Sequence, residues 1–149
     1  MSIISETKAM SHNMIYPRSP REKMDGWVHL PRFIDKLRLL VNERLPEDYQ
    51  ANIGKGFDGM WLKTAGVDFE KFRKLVIESL TDGEICDWVR DNVKKSDAEK
   101  EAFHQELLTY GTYGETLERL IMRKKESGME DRDDIRCMFD YIDADEERT

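Results

Sequence analysis

This chain is poor in the features that either brace a small protein covalently or announce a chemistry. It has two cysteines, Cys86 and Cys137, far apart and without a second cysteine or a histidine at zinc-ligand spacing. Neither a zinc site nor a disulfide framework is therefore specified, and two free thiols serving as small hydrophobes are expected. There is no G-x-S-x-G elbow, H-E-x-x-H helix, P-loop or dinucleotide fingerprint, so the familiar local signatures of hydrolases, metalloproteases and nucleotide enzymes are missing. No apolar run reaches membrane-spanning length, and the opening MSIISETKAMSHNMI lacks the apolar stretch of a secretory signal; a cytoplasmic location is the expectation. Nor is there an alternating run long enough for a strand, an internal repeat or a sustained heptad.

What is present is charge. Of 149 residues, 37% are charged and 39% hydrophobic, a composition that favours amphipathic helices with ion-paired outer faces. The length suits one domain with its own core. The expected fold class is all-α, a compact bundle of six or seven short helices with no substantial sheet, spanning residues 16–149 after a mobile arm at 1–15. In that arm Ile3, Ile4 and Ile15 would be free to dock on the domain or on a neighbouring subunit. The net charge of −7 is uneven: residues 1–64 sum to +2 and residues 65–149 to −9. Such a chain is repelled by a phosphate backbone, so nucleic acid is disfavoured as a partner while a local anion site is allowed.

Punctuation divides the chain. Ser19-Pro20-Arg21-Glu22 reads as a capping box opening a short helix that Gly26 closes. A longer helix starts at about Pro31 and ends before Pro46, with Leu30, Phe33, Ile34, Leu37, Leu40 and Val41 as its buried stripe. Glycines 54, 56 and 59 mark an irregular connection, in which Gly54-Lys55-Gly56 is an ordinary turn. A short helix near Gly59–Thr64 stops at Gly66. Asp68, then the boxes Thr81-x-x-Glu84 and Ser96-x-x-Glu99, open three more helices, with Phe69, Phe72, Leu75 and Val76, then Ile85, Trp88 and Val89, then Phe103, Leu107 and Leu108 facing the core. Thr112-x-x-Glu115 opens another before Leu117, Leu120 and Ile121. Asp131 caps the last helix, with Ile135, Met138, Phe139 and Ile142 inward and an acidic outer face in solvent.

The segment from Tyr16 to Leu39 concentrates the chemistry. Arg32 and Lys36 lie at i and i+4 on one flank of the long helix, and Arg18 and Arg21 precede it closely. Together Arg18, Arg21, Arg32 and Lys36 form the candidate anion-binding set, since guanidinium forks suit carboxylate or phosphate. The competing reading has Glu22, Asp25 and Asp35 neutralising these bases locally. His29 is the candidate general base, with Asp35 as orienter and Lys55 or Lys63 supplied from the glycine-rich region; a packed, hydrogen-bonded core histidine is the alternative. His104 and His12 read as structural and as part of the arm. Trp27, Trp61, Trp88, Tyr16 and Tyr49 read as core before pocket.

Three functions follow. The first is a non-catalytic module binding an anionic small molecule or an acidic partner segment, the second a small enzyme built on His29 and Asp35, and the third a structural homo-oligomer. Nothing specifies a cofactor.

The blocks Tyr16-Pro17-Arg18-Ser19-Pro20, His29-Leu30-Pro31-Arg32 and Ile34-Asp35-Lys36-x-Arg38, with Gly66-Val67-Asp68 and Asp87-Trp88-Val89 more loosely, resemble a bacterial family catalogued as a domain of unknown function, number 5069. The resemblance covers residues 16–110 and places the helices of residues 111–143 outside the family core. It implies a small cytoplasmic helical protein and brings no activity, cofactor or catalytic residue. The loop from Tyr49 to Gly59 lacks a Cys-Pro pair associated with relatives, so no thiol role is assigned there.

Overall fold

The computed structural model describes residues 15–148; except for Ile15, which is half-exposed, the expected arm lies outside them. Among the described residues the chain forms one short hairpin and eight helices. In chain order these are β1 (Lys23–Met24), β2 (Trp27–Val28), α1 (Leu30–Val41), α2 (Glu47–Gln50), α3 (Phe57–Ala65), α4 (Phe69–Glu78), α5 (Asp82–Asn92), α6 (Asp97–Leu108), α7 (Gly114–Glu126) and α8 (Met138–Asp145). The class is mostly helical, as expected. The count exceeds the expected six or seven because residues 47–50 coil once.

The start departs from expectation. Ser19–Glu22 forms a turn, not a helix, and Arg21 donates its backbone N–H to the Ser19 hydroxyl at 3.2 Å. The following residues pair as an antiparallel hairpin, Lys23 with Val28 and Met24 with Trp27. Asp25 and Gly26 make its two-residue loop at φ 51° and 81°, the positive-φ pair that tight hairpins need. Gly26 thus turns a strand rather than ending a helix.

α1 is the central element, packed on α3, α4 and the hairpin. Leu30, Phe33, Ile34 and Leu37 are fully buried, whereas Val41 is half-exposed, so the stripe ends a turn earlier than the pattern suggests. Phe33 meets Phe72 and Trp61 at ring separations of 5.0 and 6.2 Å, and Trp27 meets Trp61 edge-on at 6.1 Å. The three tryptophan-rich positions therefore serve packing: Trp27 and Trp61 are closed to solvent and Trp88 lies at the core margin.

The caps at Asp68 and Ser96 form as read. Asp68 accepts from the Lys71 N–H at 3.1 Å, and Ser96 and Glu99 close a full capping box. Thr81 accepts from Glu84 N–H at 3.3 Å, but the Glu84 carboxylate takes the N–H of Leu80, so that box is incomplete. Two later boundaries move. Tyr113 occupies the N-cap of α7 without a side-chain bond, because Thr112 bonds back to the Thr109 carbonyl. α8 begins after Cys137, six residues beyond Asp131. Both thiols are free. No helix of the described residues is long and apolar enough to cross a membrane.

Candidate functional site

Arg18, Arg21, Arg32, Lys36 and Arg38 each find a carboxylate, most of them far away in sequence. Arg18 grips Asp35 through its backbone N–H at 2.8 Å and its guanidinium at 2.9 and 3.0 Å, and reaches Asp82 at 2.9 Å. Arg21 holds Asp140 and Asp143 on α8 at 2.6 and 2.7 Å. Arg32 meets Glu146, just past α8, in a two-pronged pair at 2.8 and 2.7 Å. Lys36 meets Asp58 on α3 at 2.7 Å. The four side chains thus point to four different carboxylate sets rather than around one open space. Local neutralisation also fails as a description, since Asp35 alone of Glu22, Asp25 and Asp35 takes part.

Two of these pairings lie side by side on α1, and they build the most unusual part of the molecule. In the first, His29 Nε2 lies 2.6 Å from Asp58 Oδ1 while Lys36 donates to Asp58 Oδ2. Gly54 adds its backbone N–H to Oδ2 at 3.0 Å. Asp58 is fully buried, His29 2% exposed and Lys36 6%. Burial pushes the Asp58 carboxyl up, but the bonds and charges of His29 and Lys36 outweigh it and hold it below the usual range. Burial pushes His29 and Lys36 down despite that carboxylate. These directions pull against each other within one pair; three donors converging on Asp58 make the ionised carboxylate the firmer side, with Lys36 bearing the desolvation cost.

Local structure explains how His29 comes to be there. It is the N-cap of α1, at φ 71° in the left-handed region, and its N–H is tied to the carbonyls of Pro20 and Glu22 at 2.8 and 3.1 Å. A non-glycine residue in that region stores strain, and here it turns the ring onto Asp58 and edge-on to Phe57 at 5.5 Å. Asp35, the orienter expected for His29, belongs instead to Arg18. Lys55 and Lys63 are exposed and are absent from the cluster.

The second pairing is a cradle around one carboxylate. Glu146 accepts from both arms of Arg32, from the Tyr49 hydroxyl at 2.6 Å and from Arg148 at 2.5 Å. Its side chain is 2% exposed. Burial pushes Glu146 up, yet these donors prevail and hold it below the usual carboxylate range. Tyr49 is held protonated, its phenol pushed up by burial and by the Glu146 charge, and the Arg32 guanidinium lies over its ring at 5.8 Å. Arg148 also donates to Asp143 and to the Pro17 carbonyl, clasping the C-terminal segment to the start of the domain. The acidic face of the last helix was expected in solvent; instead Asp143 and Glu146 are buried against Arg21, Arg32 and Arg148.

Asp58, Glu146 and Arg148 escaped sequence reasoning, and Tyr49, read as core before pocket, instead bonds Glu146. Asp58 carried a signal: it falls among Phe57, Trp61, Leu62 and Ala65 on the apolar side of α3, where an acid needs a buried partner. Glu146 and Arg148 sit in an acidic tail that resembles any solvated surface.

A family model described as a domain of unknown function, DUF5069, matches residues 14–148. The chain belongs to this family. The match runs through the helices after residue 110, so α7, α8 and the clasp are part of the family's domain rather than an extension to it. No curated protein matches the chain. The matched stretch of this chain spans both halves of the cradle, Arg32 and Tyr49 on one side and Glu146 and Arg148 on the other.

Proposed function

We propose that this protein is a non-catalytic module that binds an anionic small molecule or an acidic protein segment by its carboxylate, at the cradle of Arg32 and Tyr49; Arg18, Arg21 and Lys36 keep carboxylates of their own and take no part. The single observation that carries the reading is the occupancy of that cradle. Two guanidinium N–H groups and a phenol hydroxyl converge on a planar carboxylate, and the carboxylate belongs to the acidic segment that follows α8. Charge-assisted, two-pronged contacts of this kind are the usual means of holding carboxylates. An acidic ligand would take the place of Glu146.

Catalysis by His29 is the weaker reading. General base work requires the ring to reach a substrate, and His29 and Asp58 are sealed among core side chains. Two surface grooves among the described residues, one lined by Glu70, Arg73 and Ile77 and the other by Val41, Val76 and Leu80, have neither His29 nor Asp58 in their walls.

The test empties the cradle without removing its donors. Glu146→Ala is screened by thermal shift and calorimetry against acetate, succinate, inorganic phosphate and a peptide copying residues 143–148. Saturable binding with a raised Tm, abolished in Glu146→Ala/Arg32→Ala, is the expected result. Absence of binding by every probe to a folded Glu146→Ala protein sinks the reading.

A further inference from the structure

Among the described residues, α7 has an outer face that the other elements leave exposed. The sequence pattern puts Leu117, Leu120 and Ile121 inward, but only Leu120 is buried. Leu117 is 37% exposed, Ile121 56% and Met122 59%. At about 100° per residue, Ile121, Lys125, Glu118 and Met122 share an arc of about 100°, centred well away from Leu120. Glu118 and Lys125 are exposed and form no ion pair among the described residues. Other charged helix faces here do pair internally, as Glu70 with Arg73 and Asp87 with Arg90.

The spacing on this face is self-complementary. Glu118 precedes Ile121 by three residues, and Lys125 follows Met122 by three. A two-fold axis between Ile121 and Met122, with the helices antiparallel, sets Glu118 against Lys125 of the partner subunit and Lys125 against Glu118 of the partner subunit. The same axis packs Ile121 on Met122 of the partner subunit, and the reverse. This is the arrangement that an isologous interface requires, one patch meeting itself with opposite charges in register.

We infer that two copies of this chain associate through α7, antiparallel across an axis between Ile121 and Met122. A helix of 13 residues is about 20 Å long, so the interface falls at the small end of the size range and the dimer is weak and reversible. Glu118, Ile121, Met122 and Lys125 take no part in the hydrogen bonds of Arg32 and Glu146.

Sedimentation equilibrium of the full chain, from micromolar to millimolar protein, tests the inference. The weight-average mass is expected to climb from 17.6 kDa towards twice that value. Glu118→Lys turns both symmetry-related attractions into repulsions and is expected to weaken association at least about tenfold. Glu118→Lys/Lys125→Glu reverses each pair and is expected to restore it. Circular dichroism confirms that these surface variants are folded. A mass that stays at 17.6 kDa throughout, a Glu118→Lys variant that associates like the parent, or a charge reversal that fails to restore association overturns the inference.

Discussion

The imidazole of His29 and the carboxylate of Asp58 lie 2.6 Å apart with neither side chain open to water. This contact joins the strained start of α1 to the first turn of α3. Lys36, one turn further along α1 than Arg32, closes the other side of the same carboxylate. The cluster pins two core helices at a fixed register while burying one positive and one negative charge.

Removing the anion from this cluster is expected to cost more than removing the cation. Asp58→Ala strands the Lys36 ammonium in the core and leaves His29 and the Gly54 N–H without their acceptor. Breaking a buried pair in this way costs about 3–5 kcal/mol. Lys36→Met leaves Asp58 with two of its three donors, so its cost is expected to be smaller. Urea denaturation of the two variants gives the comparison, and a larger loss for Lys36→Met would contradict the charge assignment.

The pH dependence of stability should have two limbs. Burial depresses the folded-state pKa of His29, so the unfolded chain takes up the proton first. That stability is present above the unfolded value of about 6.5 and is lost as pH falls below it. Asp58, Glu146, Asp82 and Asp140 are depressed by their donors. Their contribution is present above about pH 4 and is lost as pH falls through their folded values. Unfolding free energies measured between pH 8 and pH 3 are expected to show both declines, with His29→Gln less stable overall and flat between about pH 7 and pH 5.

The fold was legible where local chemistry decides it and obscure where distant partners do. Asp68 and Ser96 cap their helices because the bonds involved span three residues. Ser19-Pro20-Arg21-Glu22 has the same local pattern, but the Asp25-Gly26 turn and the burial of Trp27 and Val28 favour a hairpin over one turn of helix. The candidate site was half visible. Arg32, Lys36 and His29 could be singled out from α1 alone, whereas their partners arrive from 22 to 114 positions away. An amphipathic pattern cannot tell an acid facing water from one facing a buried arginine, and Asp143 and Glu146 were misread for that reason.

Gly111 is expected to be irreplaceable. Its φ is 101°, and a Cβ there would stand 2.9 Å from the backbone nitrogen of Met138 and 3.3 Å from the Cys137 Cα. Both neighbours are main chain at the start of α8, where the Met138 N–H donates to the Tyr110 carbonyl at 2.8 Å. Gly111→Ala must therefore adopt a strained φ and push α8 away, costing about 1–3 kcal/mol or more. Since α8 carries Asp140 and Asp143 and leads into Glu146, hydrogen exchange of α8 is expected to speed up along with the loss of global stability.

Arg32 and Glu146 should prove strongly coupled and unequal as single substitutions. Arg32→Ala leaves Glu146 buried with Tyr49 and Arg148 still donating to it. Glu146→Ala leaves Arg32 buried with, among the described residues, one hydrogen bond, to the Arg18 carbonyl at 3.2 Å, and the face of the Tyr49 ring. Glu146→Ala is therefore expected to be the more damaging of the two, since a buried guanidinium retains its charge at any accessible pH. Removing both groups deletes the stranded charge as well as the bond. The double variant should then be less destabilised than the sum of the singles, with a coupling of about 1–3 kcal/mol in a double-mutant cycle measured by denaturation. Added succinate sharpens the comparison, because it can refill the cradle of Glu146→Ala and has no fork to bind in the double variant. Additive losses would mean that the two side chains, though adjacent, do not share a bond in solution.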